Sequence, residues 1–182
     1  MNICVFGSSS RNIESIYMDA VRQLGCTLGA AGHTLVFGGY DMGLMGAIAR
    51  GFVDGGGRVS GVVTEGLSAK GDREVFACTE VITTANLAER KQLMIEMADA
   101  FVTVPGGIGT LDELFDVMSI SKAGECHKPC AIYNVAGFFD PLVQMLDDMC
   151  TKGLNSTDWH THARAFASAD ELCAYLDSAS EE

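Results

Sequence analysis

Short apolar runs alternate with longer stretches of helical periodicity along almost the whole chain. Asn2 to Phe6 is a buried-strand pattern, and Ile13 to Ala31 carries Ile16, Ala20, Val21, Leu24 and Leu28 at helical spacing before Gly32 stops it. Thr34 to Phe37 predicts a second strand, Gly43 to Val53 a helix, and Arg58 to Val63 a third strand rich in β-branched residues. Glu80 to Thr84 repeats the strand pattern, Asn86 to Ala98 is helical with Asn86 suited to the N-cap, and Ala100 to Val104 is again a buried strand. Thr110 to Ala123 then reads as a helix, Cys130 to Tyr133 as a strand and Pro141 to Cys150 as a helix. A last helix is expected over Ala169 to Ala179, with Asp170 near its start.

Near-continuous apolar strands joined by helices predict a mainly parallel sheet covered on both faces, because parallel strands need crossover connections. The expected class is α/β, a doubly wound Rossmann-like fold with helices on both faces of the sheet. No internal repeat, low-complexity tract or linker divides the chain, and 182 residues with 48% hydrophobic content suit one core, so a single domain over residues 1–182 is expected. Gly55-Gly56-Gly57 is short enough to be a helix-to-strand turn.

Composition narrows the function. No apolar segment reaches the roughly 18 residues a membrane span needs, and the first residues lack the basic region of a signal peptide, so a cytoplasmic protein without a membrane partner is expected. The seven cysteines are an odd number and several sit in apolar segments, which argues against a disulfide framework. Cys126-His127 with Cys130, and His160 with His162, lack the further ligands of a recognised metal site, so no metal is expected. A net charge of −12, from 24 acidic and 12 basic residues, excludes polymeric nucleic acid as a natural partner. It leaves room for a small phosphorylated ligand held by backbone N–H groups.

In a sheet of this kind ligands bind beyond the carboxyl ends of the strands, and glycine is concentrated in the loops that leave those ends. Gly7-Ser8-Ser9-Ser10-Arg11 follows the first strand, Gly38-Gly39 through Gly46 follows the second, and Pro105-Gly106-Gly107-Ile108-Gly109-Thr110 follows the strand ending at Val104. Such loops serve either tight strand-to-helix packing or the close approach of backbone to an anion at a helix start; three on one edge favour the anion. None contains Gly-Lys-Ser/Thr, and the first is not G-x-G-x-x-G, so neither a P-loop NTPase nor dinucleotide redox chemistry is supported, and no cofactor is expected.

Arg90 and Lys91 stand in the first turns of a helix that starts on the same edge, where they are either phosphate contacts or solvated surface cations. Met94, one turn on from Arg90, is either base-pocket lining or ordinary core. Glu113 follows Thr110 by one helical turn. Its carboxylate is thus either a functional group beside the glycine loop or the closing member of a Thr110-Leu111-Asp112-Glu113 capping box.

Pro105-Gly106-Gly107-Ile108-Gly109-Thr110-Leu111-Asp112-Glu113 fits the pattern P-G-G-x-G-T-x-x-E, with Arg90-Lys91 at the matching distance before it, and Gly43-Leu44-Met45-Gly46 fits a second glycine block. From the first strand to about Cys150 the chain resembles the LONELY GUY family of cytokinin-activating phosphoribohydrolases, often labelled lysine decarboxylases. That resemblance implies hydrolysis of the N-glycosidic bond of a nucleoside 5′-monophosphate, with Arg90 and Glu113 as the catalytic pair. It implies that the Gly107-Ile108-Gly109-Thr110 loop holds the 5′-phosphate and that Lys91 and Ser119 lie among substrate contacts; Gly106, Gly39 and Ser8 of the glycine loops and Met94 on the Arg90 helix face are further expected substrate positions from the residue reading alone. The resemblance also implies a homodimer with its site near the interface. The wide apolar surface of Leu111, Leu114, Phe115, Val117, Met118 and Ile120 suits either such an interface or burial within one chain. The sequence departs from the family at Leu87-Ala88, where Met-His is usual, and at Ser119, where threonine is common. A decarboxylase reading fails because no lysine has a recognisable pyridoxal phosphate setting. Two rivals remain: a non-catalytic nucleotide or cofactor carrier on the same fold, and a general nucleoside monophosphate nucleosidase without a cytokinin role.

Overall fold

The computed structural model describes residues 1–65 and 74–179. Its strands are β1 (Asn2–Phe6), β2 (Thr34–Phe37), β3 (Arg58–Thr64), β4 (Glu80–Thr84), β5 (Ala100–Thr103), β6 (Cys130–Tyr133) and β7 (Arg164–Phe166). Its helices are α1 (Ser15–Ala30), α2 (Gly43–Asp54), α3 (Leu87–Met97), α4 (Ile108–Lys122), α5 (Asp140–Thr151) and α6 (Ala169–Ala179), and short 3-10 turns occupy Val135–Gly137 and Trp159–Thr161. The strands form one sheet in the order β4-β3-β2-β1-β5-β6-β7. Every pairing is parallel, as the crossover pattern demands.

Alternation along β1 shows why the strands read as continuous apolar runs. Ile3 and Val5 join a core with Val21, Leu24, Ile48 and Phe52 of α1 and α2, whereas Cys4 and Phe6 join a second core with Met94, Leu114 and Val117 of α3 and α4. Both faces are buried, so both side-chain registers must be apolar. On the first face α1 and α2 approach until backbone meets backbone. A Cβ at Gly25 would lie 2.5 Å from the Ile48 carbonyl oxygen and one at Gly29 would lie 2.5 Å from that of Phe52, so glycine here serves contact between helices.

The chain reverses direction across the sheet at β1, which has β2 on one side and β5 on the other. Crevices for ligands open at such switch points, outside the carboxyl ends of the strands. The loops after β1, β2 and β5 converge there: Ser8 N–H donates to the Pro105 carbonyl at 3.2 Å, and Leu44 N–H donates to the Ser8 carbonyl at 2.8 Å.

Two elements differ from expectation in ways that matter. β7 has three residues and no apolar run, so periodicity does not reveal it; it exists because its backbone pairs with β6 and α6 packs beneath. Helix α4 begins at Ile108, two residues before the expected Thr110, with Gly107 as its N-cap.

Candidate active site

The switch point holds a cavity of about 590 Å³, within the range that takes a nucleotide-sized ligand. Ser8, Ser9 and Ser10 of the first loop form one wall, Gly38, Tyr40 and Met42 of the second another, and Gly107, Gly109 and Thr110 a third. Arg90, Met94 and Glu113 complete the lining, with Leu87 and Met45 at its sides.

Arg90 is placed by both ends of its side chain. Helix α3 starts with Asn86, whose side chain accepts from Glu89 N–H at 3.0 Å, and this cap sets the helix beside the crevice. The Arg90 guanidinium then donates through Nε to the Val62 carbonyl of β3 at 2.8 Å. Gly38 makes this possible, since a Cβ there would overlap the guanidinium and the Met45 methyl.

Glu113 faces Arg90 at 3.9 Å, Oε1 to Nη1, with side-chain exposures of 17% and 11% respectively. At that distance the attraction is electrostatic without a hydrogen bond, so the carboxylate stays available to a ligand. Burial pushes the Glu113 carboxyl up to about 7; Arg90 pulls it down, Asp112 adds to the rise and Lys91 opposes it. The capping-box alternative for Glu113 does not form, because that motif joins the N-cap to the third helical residue. With Gly107 as N-cap, Thr110 takes the third place and Glu113 lies a further turn inside.

The start of α4 has the character of an anion cradle. Its N-cap Gly107 provides no side-chain acceptor, and the first turn holds no acidic residue. Leu111 N–H already donates to the Gly107 carbonyl at 3.0 Å, so the N–H groups at Ile108, Gly109 and Thr110 precede the intrahelical ladder. A Cβ added at Gly107 or Gly109 would meet no atom of the described chain within 4 Å, and neither residue has a positive φ. Packing and backbone conformation therefore do not call for glycine at either place, whereas a ligand approaching the backbone does. Gly106 differs: a Cβ there would overlap the Thr110 side chain.

The remaining sequence-derived positions scatter. Gly39, at φ +80°, packs under Val63 and does not line the cavity. Ile108 is 89% exposed, and Ser119 is exposed further along α4, away from the lining. Lys91 Nζ lies 2.9 Å from Asp112 Oδ2 and 3.1 Å from Asp116 Oδ2, which ties α3 to α4 beside the catalytic candidates. Sequence reasoning did not single out Tyr40, Met42, Met45 and Leu87 as lining; their signal was membership of, or adjacency to, a loop at the ligand edge. Among the described residues no lysine lines the cavity, so those residues do not fit a Schiff base with pyridoxal phosphate.

Residues 45–176 match the family model described as "possible lysine decarboxylase". The chain is 36% identical over 177 residues, 96% of its length and 78% of the relative's, to probable cytokinin riboside 5′-monophosphate phosphoribohydrolase LOGL1 of Oryza sativa subsp. japonica. It is 39% identical over 157 residues, 85% of its length and 72% of the relative's, to cytokinin riboside 5′-monophosphate phosphoribohydrolase LOG2 of Arabidopsis thaliana. The family match thus runs past Cys150, the limit of the resemblance read from the sequence. Among solved structures, the molybdenum cofactor carrier protein of Chlamydomonas reinhardtii shares the fold with a TM-score of 0.73 at 18% identity, covering 100% of this chain and 98% of that one. The molybdenum cofactor binding protein of Rippkaea orientalis does so with a TM-score of 0.71 at 19% identity, covering 97% and 95%. Motif, fold and relatives agree, and the chain belongs to the LONELY GUY family, the group whose model bears the lysine decarboxylase description.

Proposed function

We propose that this chain hydrolyses the N-glycosidic bond of a nucleoside 5′-monophosphate, a cytokinin riboside 5′-monophosphate or an AMP-like nucleotide, to free base and ribose 5-phosphate. The observation that carries the proposal is a buried carboxyl, Glu113, facing Arg90 at 3.9 Å in the same cavity as an uncapped glycine-rich helix start, where burial pushes that carboxyl up to about 7. A general base works best with a pKa near the operating pH. The names of the relatives supply the reaction class.

In the reaction, water attacks the anomeric carbon, the carbon–nitrogen bond breaks, its electron pair leaves with the base nitrogen, and the base gains a proton. The sugar passes through an oxocarbenium-like state that a carboxylate stabilises. Glu113 takes the proton from the attacking water or stands against the developing charge; Arg90 favours the ionised form of Glu113 against the effect of burial and contacts the substrate. The α4 start, with Gly107, Gly109 and Thr110, anchors the phosphate, and that remote binding energy positions the reacting carbon. Met42, Met45, Met94 and Leu87 offer an apolar, polarisable wall to the base. Lys91 acts through Asp112 and Asp116, holding the two helices in register.

The same reading gives a cytoplasmic homodimer. Ile108, highly exposed beside the phosphate loop, and the half-buried Leu111 and Phe115 of α4 suit a subunit contact. Ser119 would then reach substrate only across that interface. Light scattering that finds only monomer would remove this part.

The test is incubation with a panel of nucleoside 5′-monophosphates, with free base and ribose 5-phosphate quantified. Release from the cytokinin riboside monophosphate in preference to AMP supports the hormone-activating form, and equal release across bases the general nucleosidase. Binding without release from any member would overturn the enzymatic reading in favour of a carrier.

A further inference from the structure

At the opposite, amino edge of the sheet lies a second cleft, of about 190 Å³, between the starts of β6 and β7. It shares no lining residue with the catalytic cavity. His127, Lys128, His160, His162 and Arg164 converge on it, and Tyr175 also lines it. The concentration is unusual for this chain. Three of its four histidines and two of its 12 lysines and arginines meet here, and among the described residues no aspartate or glutamate lines the cleft although the chain carries 24.

The cationic groups are held in position. Lys128 Nζ donates to the Ile95 carbonyl at 2.9 Å and to that of Glu96 at 3.4 Å, leaving a third N–H for a ligand. The Arg164 guanidinium stacks over the Tyr175 ring at 5.3 Å, which leaves its N–H fork unspent at the edges. His162 is braced between the hydroxyls of Ser121 at 3.1 Å and Thr157 at 3.0 Å. Asp158, the acidic neighbour, stands outside the lining, where His160 binds it at 2.8 Å through Nδ1.

Metal binding does not account for the cluster: among the described residues no group of three or more His, Cys, Asp or Glu side chains could hold an ion. The chemistry is that of an anion site, and the volume lies below the roughly 300 Å³ at which sites for larger organic ligands begin. We propose that this cleft binds a small phosphate-class anion, inorganic phosphate or a phosphomonoester, at a site separate from the catalytic cavity. Arg164 and Lys128 are its principal ligands, and the histidines surround them.

Histidine ring NMR on the full chain tests this, because His33 lies in the α1–β2 turn and serves as an internal control. At fixed pH and ionic strength, titration with inorganic phosphate should move the His127, His160 and His162 signals saturably while His33 stays still. Arg164→Gln, at an exposed position, should weaken that response by about tenfold or more, as loss of a charge-assisted donor pair requires. Amide shifts at Gly107 and Thr110 should be unchanged by the same variant. A parallel titration with ribose 5-phosphate distinguishes the two sources: equal midpoints identify the phosphate group alone as the ligand, and a lower midpoint for the ester adds a contact to the sugar. Stationary histidine signals, a response shared with His33, or a response unaltered by both Arg164→Gln and Lys128→Met would overturn the proposal.

Discussion

Replacing Glu113 by glutamine separates a catalytic carboxylate from a structural one by the sign of its effect on stability. Burial pushes the Glu113 carboxyl up to about 7 in the fold against an ordinary 4.5. A carboxyl whose folded pKa is raised keeps its proton in the native state longer than in the unfolded chain. Stability is therefore lost as pH rises from about 4.5 to about 7, and above that window the loss is complete at about 3 kcal/mol. Glutamine has the same shape and no charge to bury, so Glu113→Gln should stabilise the protein by about 3 kcal/mol at pH 8 and by almost nothing at pH 4. For a chain of this size that is a rise in Tm of roughly 6–12 °C at pH 8. Turnover should fall by about 10²–10⁴-fold, the usual contribution of a positioned base. The assays are calorimetric melting at the two pH values and release of base from the preferred nucleotide. A Tm that falls on substitution at pH 8, or turnover within tenfold of the parent, would refute the assignment; a helix-capping glutamate predicts both, since loss of a cap costs about 1 kcal/mol.

The glycines of the cavity should divide into two classes. Gly107→Ala and Gly109→Ala leave melting within about 0.5 kcal/mol, the range of substitutions that disturb no contact, yet raise KM for the nucleotide, whereas Gly38→Ala, whose methyl would overlap Arg90, lowers kcat. Lys91→Met removes a charge that holds the Glu113 carboxyl down, so the acidic limb of the kcat/KM profile moves to higher pH, with the greatest loss below pH 7; Lys91→Arg should restore the profile. Trp159→Phe deletes the indole N–H that donates to Asp147 Oδ1 at 2.7 Å, which should cost about 2 kcal/mol in chemical denaturation while leaving kcat unchanged.

The sequence by itself determined the order of the helices and of every described strand except β7, because a buried parallel strand and a helix crossing it leave different periodicities, and both faces of this sheet are apolar. It also located the glycine loops on one edge, since a strand-to-helix loop in such a fold has nowhere else to go. Arg90 and Glu113 were legible as candidates, with their roles suggested by family motif and not by spacing. Three things needed the tertiary structure. β7 is too short to carry a pattern and is defined by its pairing with β6. The start of α4 lies at Ile108 with Gly107 as its N-cap, and this placement ended the capping-box reading of Glu113. Finally, burial and pairing are sums over residues distant in sequence. The same local pattern, two cations in a helix start, became one buried arginine bound to β3 and one lysine shared by two carboxylates of α4.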